Sequence, residues 1–397
     1  MANRILTTHV GSLVRPPKFA EVLRAVQDKK ELPPGTYENA LTEAVANVVR
    51  QQAEAGVDIV SDGEFGKIYN WAFYVHSRLT NIVTRPLTEE ERKDEFATAG
   101  GGRDRKAFPE YYAEADKASG LASRLGNRFI NRGGPITYVG QKDLQRDIDN
   151  LKNALSKVNV EGAFLPVVAP ASALPGGMSE FYPDERSYLF ALAEALRVEY
   201  RTIVDAGLYV QIDDAFLPFM QEKLVPPMSL AEYKKWAQLR IDALNHALVG
   251  IPPEKSRYHI CWGSWSGPHA FDVEMKDFVD LLLQVNVGAY SFEAANVRHE
   301  HEWKVWKTVK LPAGKKILPG VISHATNVLE HPELIADRLI RFADVVGKEN
   351  VMASSDCGFA QSPFAQRVHP SIMWAKLKSM AEGARMASEY LWGKRAA

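Results

Sequence analysis

Cysteine is the scarcest residue of this chain, two in 397. That excludes a disulfide-stapled scaffold and points to a reducing compartment. An excess of charge of one sign is also missing. The 48 basic and 49 acidic residues leave a net charge of -1, which gives no electrostatic case for nucleic acid or an anionic membrane as partner. No apolar run approaches the roughly 20 residues that span a bilayer. The N-terminal Met1-Ala2-Asn3-Arg4-Ile5-Leu6 carries no signal-peptide core, so a cytoplasmic protein is expected. Neither an internal repeat nor a low-complexity segment is evident. What is present is a 46% hydrophobic, 24% charged composition, that of a soluble chain with a large core. The length is great for one ordinary domain but within range for one elaborated α/β barrel.

The chain alternates between two periods. Strand-like runs are read at Val57–Ser61, Ile136–Gly140, Phe164–Ala169, Tyr209–Asp213, Tyr258–Trp262, Ala289–Glu293, Ile317–Ile322 and Val351–Ser355. Helical patterns are read at Asn39–Ala55, Glu185–Ala206, Leu230–Leu248, Val273–Val285, Pro332–Val346 and His369–Leu391, several closed by a glycine cap such as Gly207 or Gly347. Repeated βα units of this number predict the α/β class, as a single (β/α)8 TIM barrel whose one catalytic domain covers residues 1–397. Ile5–Ser12 is then a ninth element beside the barrel near its mouth. Residues 68–130 differ in character: aromatic at Tyr69, Trp71, Phe73 and Tyr74, charged from Glu89 to Glu95, with Gly100-Gly101-Gly102 between. They predict an inserted arm over the barrel mouth or at an oligomer contact. The last helix is expected to pack on the barrel or on a second subunit.

Active sites of such barrels lie where strands end. The ends here carry Asp62-Gly63-Glu64, Asp213-Asp214, His259-Ile260-Cys261, Glu293 with Asn296, and Asp356-Cys357. His259 and Cys261, two apart on a strand, point to one side. Both cysteines therefore fall at strand ends, near an imidazole and the Glu293 carboxylate. Singly, a core histidine and small buried thiols are the bland reading. Together they form the borderline-soft donor set that zinc prefers: His259, Cys261, Cys357 and Glu293, the last as ligand or as a carboxylate bonded to His259. Two anionic sulfurs lower the Lewis acidity of zinc, so a third sulfur from a substrate thiol suits the site better than water. The chemistry predicted is a zinc-bound thiolate attacking an electrophilic carbon. Glu64 and Asp213 would hold a cationic group such as an amine, and Ser12 with the amides around it an acid group. Capping of loops is the alternative for these carboxylates. A metal-dependent hydrolase or decarboxylase is the competing class, disfavoured because two thiolates outnumber the donors usual for activating water.

These residues resemble a known family. His259-x-Cys261, Glu293 and Asp356-Cys357-Gly358 are similar to the zinc ligand set of cobalamin-independent methionine synthase, in its C-terminal catalytic barrel. Val10-Gly11-Ser12, Asp62-Gly63-Glu64 and Gln211-Ile212-Asp213 are similar to its homocysteine-binding segments. The resemblance implies a TIM barrel, Zn2+ as cofactor, and S-methyl transfer to homocysteine or a similar thiol. It implies His259, Cys261, Glu293 and Cys357 as ligands and Ser12, Glu64 and Asp213 as substrate contacts. The chain departs from the pattern in having one barrel where the synthase has two. Its Gly320-Val321-Ile322-Ser323-His324-Ala325 stands where the family has Tyr-Asp-Ile-His-Ser, with His324, the implied catalytic acid, one position early. The run Val168-Ala169-Pro170-Ala171-Ser172 lacks the folate-binding pattern; Phe181, Tyr182 or Trp265 could stack a donor instead. Cys261–His269 and Glu293–Trp303 resemble short single-barrel relatives, among them epoxyalkane:coenzyme M transferase. That implies, as the alternative, another thiol of the coenzyme M or glutathione type and an epoxide, ether or thioether electrophile.

Overall fold

Unbroken apolar runs such as Phe164-Leu165-Pro166-Val167-Val168 suit strands covered on both faces. The computed structural model, which describes residues 3–93, 101–119, 127–173, 178–364 and 366–393, places them so. With β2 (Ile82–Pro86), β3 (Asn127–Asn131) and β5 (Met178–Ser179) set apart, seven strands form one parallel sheet: β1 (Ile59–Ser61), β4 (Gly162–Val168), β6 (Tyr209–Asp214), β7 (Ser256–Ile260), β8 (Ala289–Phe292), β9 (Lys316–Ile322) and β10 (Ser354–Ser355). Adjacent residues of one strand serve different cores. Val60, Leu165, Ile317 and Val351 join the large core between sheet and helices. Ile59, Phe164, Leu318 and Met352 form a separate apolar plug inside the sheet. Period-two alternation on a curled parallel sheet produces this division.

The eighth position corrects the expectation from sequence. Ile136–Gly140 is not a barrel strand. It runs antiparallel to residues 78–80, through a Leu79–Tyr138 bridge and bonds from Thr80 N to Thr137 O (3.0 Å) and from Val139 N to Arg78 O (2.8 Å). The N-terminal residues 6–8 take the place instead. Thr7 O accepts from Ile59 N at 3.0 Å on β1, while Thr8 N donates to Ala353 O at 2.8 Å and Ala353 N to Leu6 O at 2.9 Å beside β10. Both edges of the sheet are thereby satisfied and the barrel closes. Leu6 packs on the plug. The element expected to lie beside the barrel is thus part of its wall. Helices Thr36–Glu54, Gln141–Leu155, Glu185–Asp205, Leu230–Ala247, Met275–Leu282, Pro332–Val346 and Pro370–Trp392 form the outer ring, with a 3-10 turn at Glu300–Lys307. The last helix packs on Pro332–Val346, so closely that a Cβ on Gly383 would lie 2.5 Å from Ile335 Cγ2.

Within residues 68–130, β2 pairs antiparallel with β3, which pairs parallel with β5. Helices Glu89–Lys93, Arg103–Ala107 and Pro109–Ser119 lie between β2 and β3. Residues 94–100, with Glu95 and Gly100, and 120–126 lie outside the described residues. The arm reaches the loops that follow β6 and β7. Arg103 Nη2 donates to Gln221 Oε1 (2.7 Å) and Phe271 O (2.9 Å), Asp104 N to Glu222 Oε1 (2.7 Å), and Trp265 Nε1 to Tyr112 OH (3.0 Å). Among the described residues no helix is long and apolar enough to cross a membrane.

Asp58 anchors the closure. Its carboxylate accepts from Arg4 Nη1 (2.7 Å), Arg4 Nη2 (2.9 Å), Thr7 N (2.8 Å) and Thr7 Oγ1 (3.0 Å). Asp58→Ala is expected to lower stability by about 1–3 kcal/mol and to speed hydrogen exchange at the Ile59 and Ala353 amides. Unchanged exchange at both would show that residues 6–8 do not hold the two edges.

Candidate metal and thiol site

The inward positions of the strands change character with height. Near the plug, the Arg257 guanidinium lies 3.5 Å from the centroid of Phe164 and donates to Thr8 Oγ1 and His9 O, both at 2.9 Å. Beside Arg257 the register sets Gln211 of β6; two residues further along come Asp213 on β6, His259 on β7 and Ser291 on β8, and just past the strand ends come Cys261 and Glu293. The register pairs Asp213 with His259 and His259 with Ser291. One turn of strand geometry therefore converts an apolar floor into a polar cup.

His259, Cys261 and Cys357 each offer a donor atom within 4.8 Å of the other two, and all three are buried. Ser291 Oγ bonds His259 Nδ1 at 3.1 Å, while Nε2 is buried without a hydrogen-bond partner. That is the arrangement of a ligating imidazole, fixed by a bond at one nitrogen and open at the other. Both cysteines are free thiols. The hydrogen bond to Cys357 and then burial raise the Cys261 thiol well above the ordinary value. The hydrogen bond from Cys261, reinforced by His259 against the effect of burial, lowers Cys357 well below it. The donor set fits zinc by chemistry: two sulfurs, one imidazole and a neighbouring carboxylate.

A second triple adjoins the first. Donor atoms of Glu293, His324 and Asp356 lie within 4.8 Å of one another, all buried. Glu293 accepts from Trp262 N (3.1 Å) and Asn296 Nδ2 (2.7 Å). Burial, then the charges of Asp356 and Cys357, raise its carboxyl well above the usual range. Asp356 Oδ1 accepts from the amides of Ala294 and Ala295, both at 2.7 Å, and its Oδ2 is buried without a partner. Burial pushes the Asp356 carboxyl up to about 6. It fits only because β9 presents Gly320, where a Cβ would meet Asp356 Oδ1 at 2.2 Å. Both ring nitrogens of His324 are buried and unpartnered, and burial lowers the imidazole to about 4.

The expected substrate contacts adjoin these groups. A Cβ at Gly358 would strike Ser12 Oγ at 2.0 Å, and Phe359 N donates to Ser12 O at 2.8 Å, so Ser12 lies against the turn that carries Cys357. Glu64 is buried in the left-handed region, φ 61°, directly after Gly63 at 69°. A non-glycine residue held there signals a constraint imposed by its surroundings. Burial, opposed by His259 and aided by Glu64, raises the Asp213 carboxyl to about 7, and Gln211 Nε2 donates to it at 2.7 Å. All eight residues singled out from sequence thus surround one mouth. Four others join them, of which only Asp62 was named from the sequence, as a strand-end acid without a role. Lys67 Nζ pairs with Glu64 Oε1 at 3.3 Å, a partner legible from its i+3 spacing. Burial raises Asp62 to about 7. His299 stacks on Trp262 at 4.0 Å and bridges Asp272 and Glu302; burial notwithstanding, those two bonds raise it to about 9. Arg367, in the loop after Cys357, carried no signal. Of the proposed stacking rings, Trp265 lies 4.0 Å from His269, whereas Phe181 and Tyr182 meet each other at 5.1 Å beside β5.

Because the hydrogen bond between the two thiols drives their titrations apart, chelator-treated protein should show two separate thiolate transitions by absorbance near 240 nm, Cys357 well below the ordinary thiol value and Cys261 well above it. Cys261→Ala, which removes the first of these hydrogen bonds, should move Cys357 up toward an ordinary thiol. Two thiols titrating together near the ordinary value would show that the cup does not hold them in contact.

Residues 178–385, more than half of the chain, match the family described as the catalytic domain of cobalamin-independent synthase. The 2-hydroxypropyl-CoM lyase of Xanthobacter autotrophicus is 24% identical over 410 aligned positions, covering 96% of this chain and 94% of that protein. The methionine synthase of Sulfolobus acidocaldarius is 23% identical over 388, covering 97% and 93%. A B12-independent methionine synthase from a Shewanella species, solved in complex with selenomethionine, superposes with a TM-score of 0.71 at 17% identity, covering 98% of this chain and 99% of that one, which supports the barrel fold. The chain belongs to the cobalamin-independent synthase catalytic-domain family of enzymes.

Proposed function

We propose that this protein is a zinc-dependent transferase, one catalytic domain throughout, that moves a methyl or other alkyl group onto the sulfur of a small thiol, homocysteine being the simplest candidate. The observation that carries this reading is the His259–Cys261–Cys357 triple, with its donor atoms within 4.8 Å and the His259 Nε2 left unpartnered. His259, Cys261 and Cys357 would hold the ion, with Glu293 as a further ligand or as the carboxylate beside them. Zinc bound there would keep the substrate thiol deprotonated at neutral pH, which makes it the nucleophile. The sulfur of the thiolate forms a bond to the alkyl carbon while the bond from that carbon to the donor's leaving atom breaks, and the leaving atom takes the electron pair.

The chain's residues do the rest. Ser291 holds the His259 ring, and the Trp262 and Asn296 groups hold Glu293. Ser12 and the amides beside it face the acid end of the thiol; Glu64 and Asp213 face its other end. His324 is the proposed acid for the leaving group. Burial lowers its imidazole to about 4, so it would first take up the proton that the substrate thiol loses, drawn there by the neighbouring negative charge of Cys357, and then give that proton to the leaving atom. Free, reduced thiols are required, so a reducing compartment such as the cytoplasm suits the enzyme. A second reading keeps the chemistry and changes the thiol to one of the coenzyme M or glutathione type, with an epoxide, ether or thioether as electrophile. The Lys67–Glu64 ion pair favours it, because a substrate ammonium would have to displace Lys67 from Glu64.

Purified protein should hold about one zinc per chain, and Cys261→Ser should lose most of it. Full retention in that variant would remove the central claim. Zinc-edge X-ray absorption should gain a sulfur neighbour on adding the correct thiol. If none of homocysteine, 2-mercaptoethanesulfonate and glutathione adds one, alkyl transfer to sulfur is the wrong reading.

A further inference from the structure

The positive charges around the cup are almost all committed. Arg15 donates to Glu64 O at 2.7 Å, Arg257 to Thr8 and His9, Arg298 to Ala270 O at 2.9 Å, and Arg338 to Glu300 Oε1 at 3.1 Å and to Val321 O at 3.0 Å. Lys67 is paired with Glu64. Arg367 differs. Its Nε donates to Gln361 Oε1 at 3.1 Å. Gln361 in turn donates to Gly358 O, next to Cys357, and its own carbonyl accepts from Trp71 N at 3.0 Å. The guanidinium is therefore fixed by its stem side to the turn that carries Cys357 and abuts Ser12. Yet Nη1 and Nη2 have no acceptor among the described residues, and no carboxylate lies within ion-pair distance of them. The side chain is half-buried and within electrostatic reach of both thiols and of His324.

We propose that Arg367 is the recognition residue for an acidic oxyanion, carboxylate or sulfonate, carried by the thiol whose sulfur binds at His259, Cys261 and Cys357. The inference rests on the thiol-transfer reading above and narrows it to acid-bearing thiols. A half-desolvated guanidinium with its terminal fork unspent is matched by a planar or trigonal oxyanion, which takes two parallel N–H bonds. The local balance points the same way. Glu64 already has Lys67, and Asp213 already has the Gln211 amide. Of the cations named above, Arg367 alone keeps its terminal N–H groups without an acceptor among the described residues, so the free substrate should bring a negative group. The fork also has a geometric consequence. Anchoring of Nε by Gln361 ties substrate recognition to the loop that bears Cys357, so acid-group binding and sulfur delivery are set by one rigid turn.

Cobalt-substituted protein tests this, because the sulfur-to-cobalt charge-transfer absorption reports thiol binding without turnover. The probes are homocysteine, 3-mercaptopropionate and 2-mercaptoethanesulfonate, against 2-mercaptoethanol and cysteamine, which lack an acid group. In wild-type protein the acid thiols should bind tightest. Arg367→Gln should weaken them by about 10- to 100-fold, the usual effect of losing a charge-assisted hydrogen bond, and leave 2-mercaptoethanol within about twofold. Arg367→Lys should recover part of the loss. The ranking of 3-mercaptopropionate against 2-mercaptoethanesulfonate separates carboxylate from sulfonate. Equal weakening of all five thiols, or none, overturns the assignment of Arg367 while leaving thiol binding intact. If no thiol perturbs the wild-type spectrum, the thiol-transfer reading falls, and the role of Arg367 with it.

Discussion

Five carboxylates (Asp62, Glu64, Asp213, Glu293 and Asp356) and two thiols are buried at one end of this barrel. A buried anion without compensation costs several kcal/mol, so such groups neutralise, pair, or bind a cation. All three responses are visible. Asp62, Asp213, Glu293 and Asp356 are pushed upward by burial. Glu64 is paired with Lys67. Contact between the two sulfurs raises the Cys261 thiol and lowers that of Cys357, with the unpartnered His259 Nε2 beside them. Much of the mouth's architecture follows from this one electrostatic constraint, including the amides of Ala294 and Ala295 aimed at Asp356 and the fixed ring of His259.

The barrel supplies the means. Period-two alternation sends every second residue inward, and the parallel register lets neighbouring strands deliver their groups at staggered heights. Phe164 and Arg257 seal the floor, so the polar residues above them sit in a closed cup. Without closure by residues 6–8 the cup would be open between β1 and β10. The same segment runs on into Ser12, against Gly358. Stability and site are thus joined: the residues that complete the ring also carry the chain to Ser12, the proposed substrate contact beside Cys357.

The clustering of His259, Cys261 and Cys357 was legible because strand ends and the His-x-Cys spacing project directly onto the barrel mouth. The helices were legible from their period and glycine caps, Pro332–Val346 within its observed limits. Two features were not. Ile136–Gly140 has the composition of a strand, but composition does not reveal the partner. Its backbone bonds go to residues 78–80, and the short Leu6–Thr8 run, too brief to show alternation, closes the barrel in its place. Arg367 was invisible for a related reason. A loop arginine ten residues beyond Cys357 has no periodic or motif signal, and only the Gln361 and Gly358 bonds bring it to the site.

The donor set also bears on why a thiol, not water, is the natural guest. Two thiolate ligands place strong negative charge on any bound cation and reduce its pull on a water proton. Around that centre the chain adds further carboxylates, Asp213, Glu293 and Asp356. His324, the nearest proton carrier, is held neutral by burial and is drawn toward protonation by Cys357. A site so biased favours a soft nucleophile that arrives with its own proton to lose and a departing group that needs one. On the proposed reading, the proton that the thiol loses is the one that the departing group needs, and the buried His324 lies between the two events.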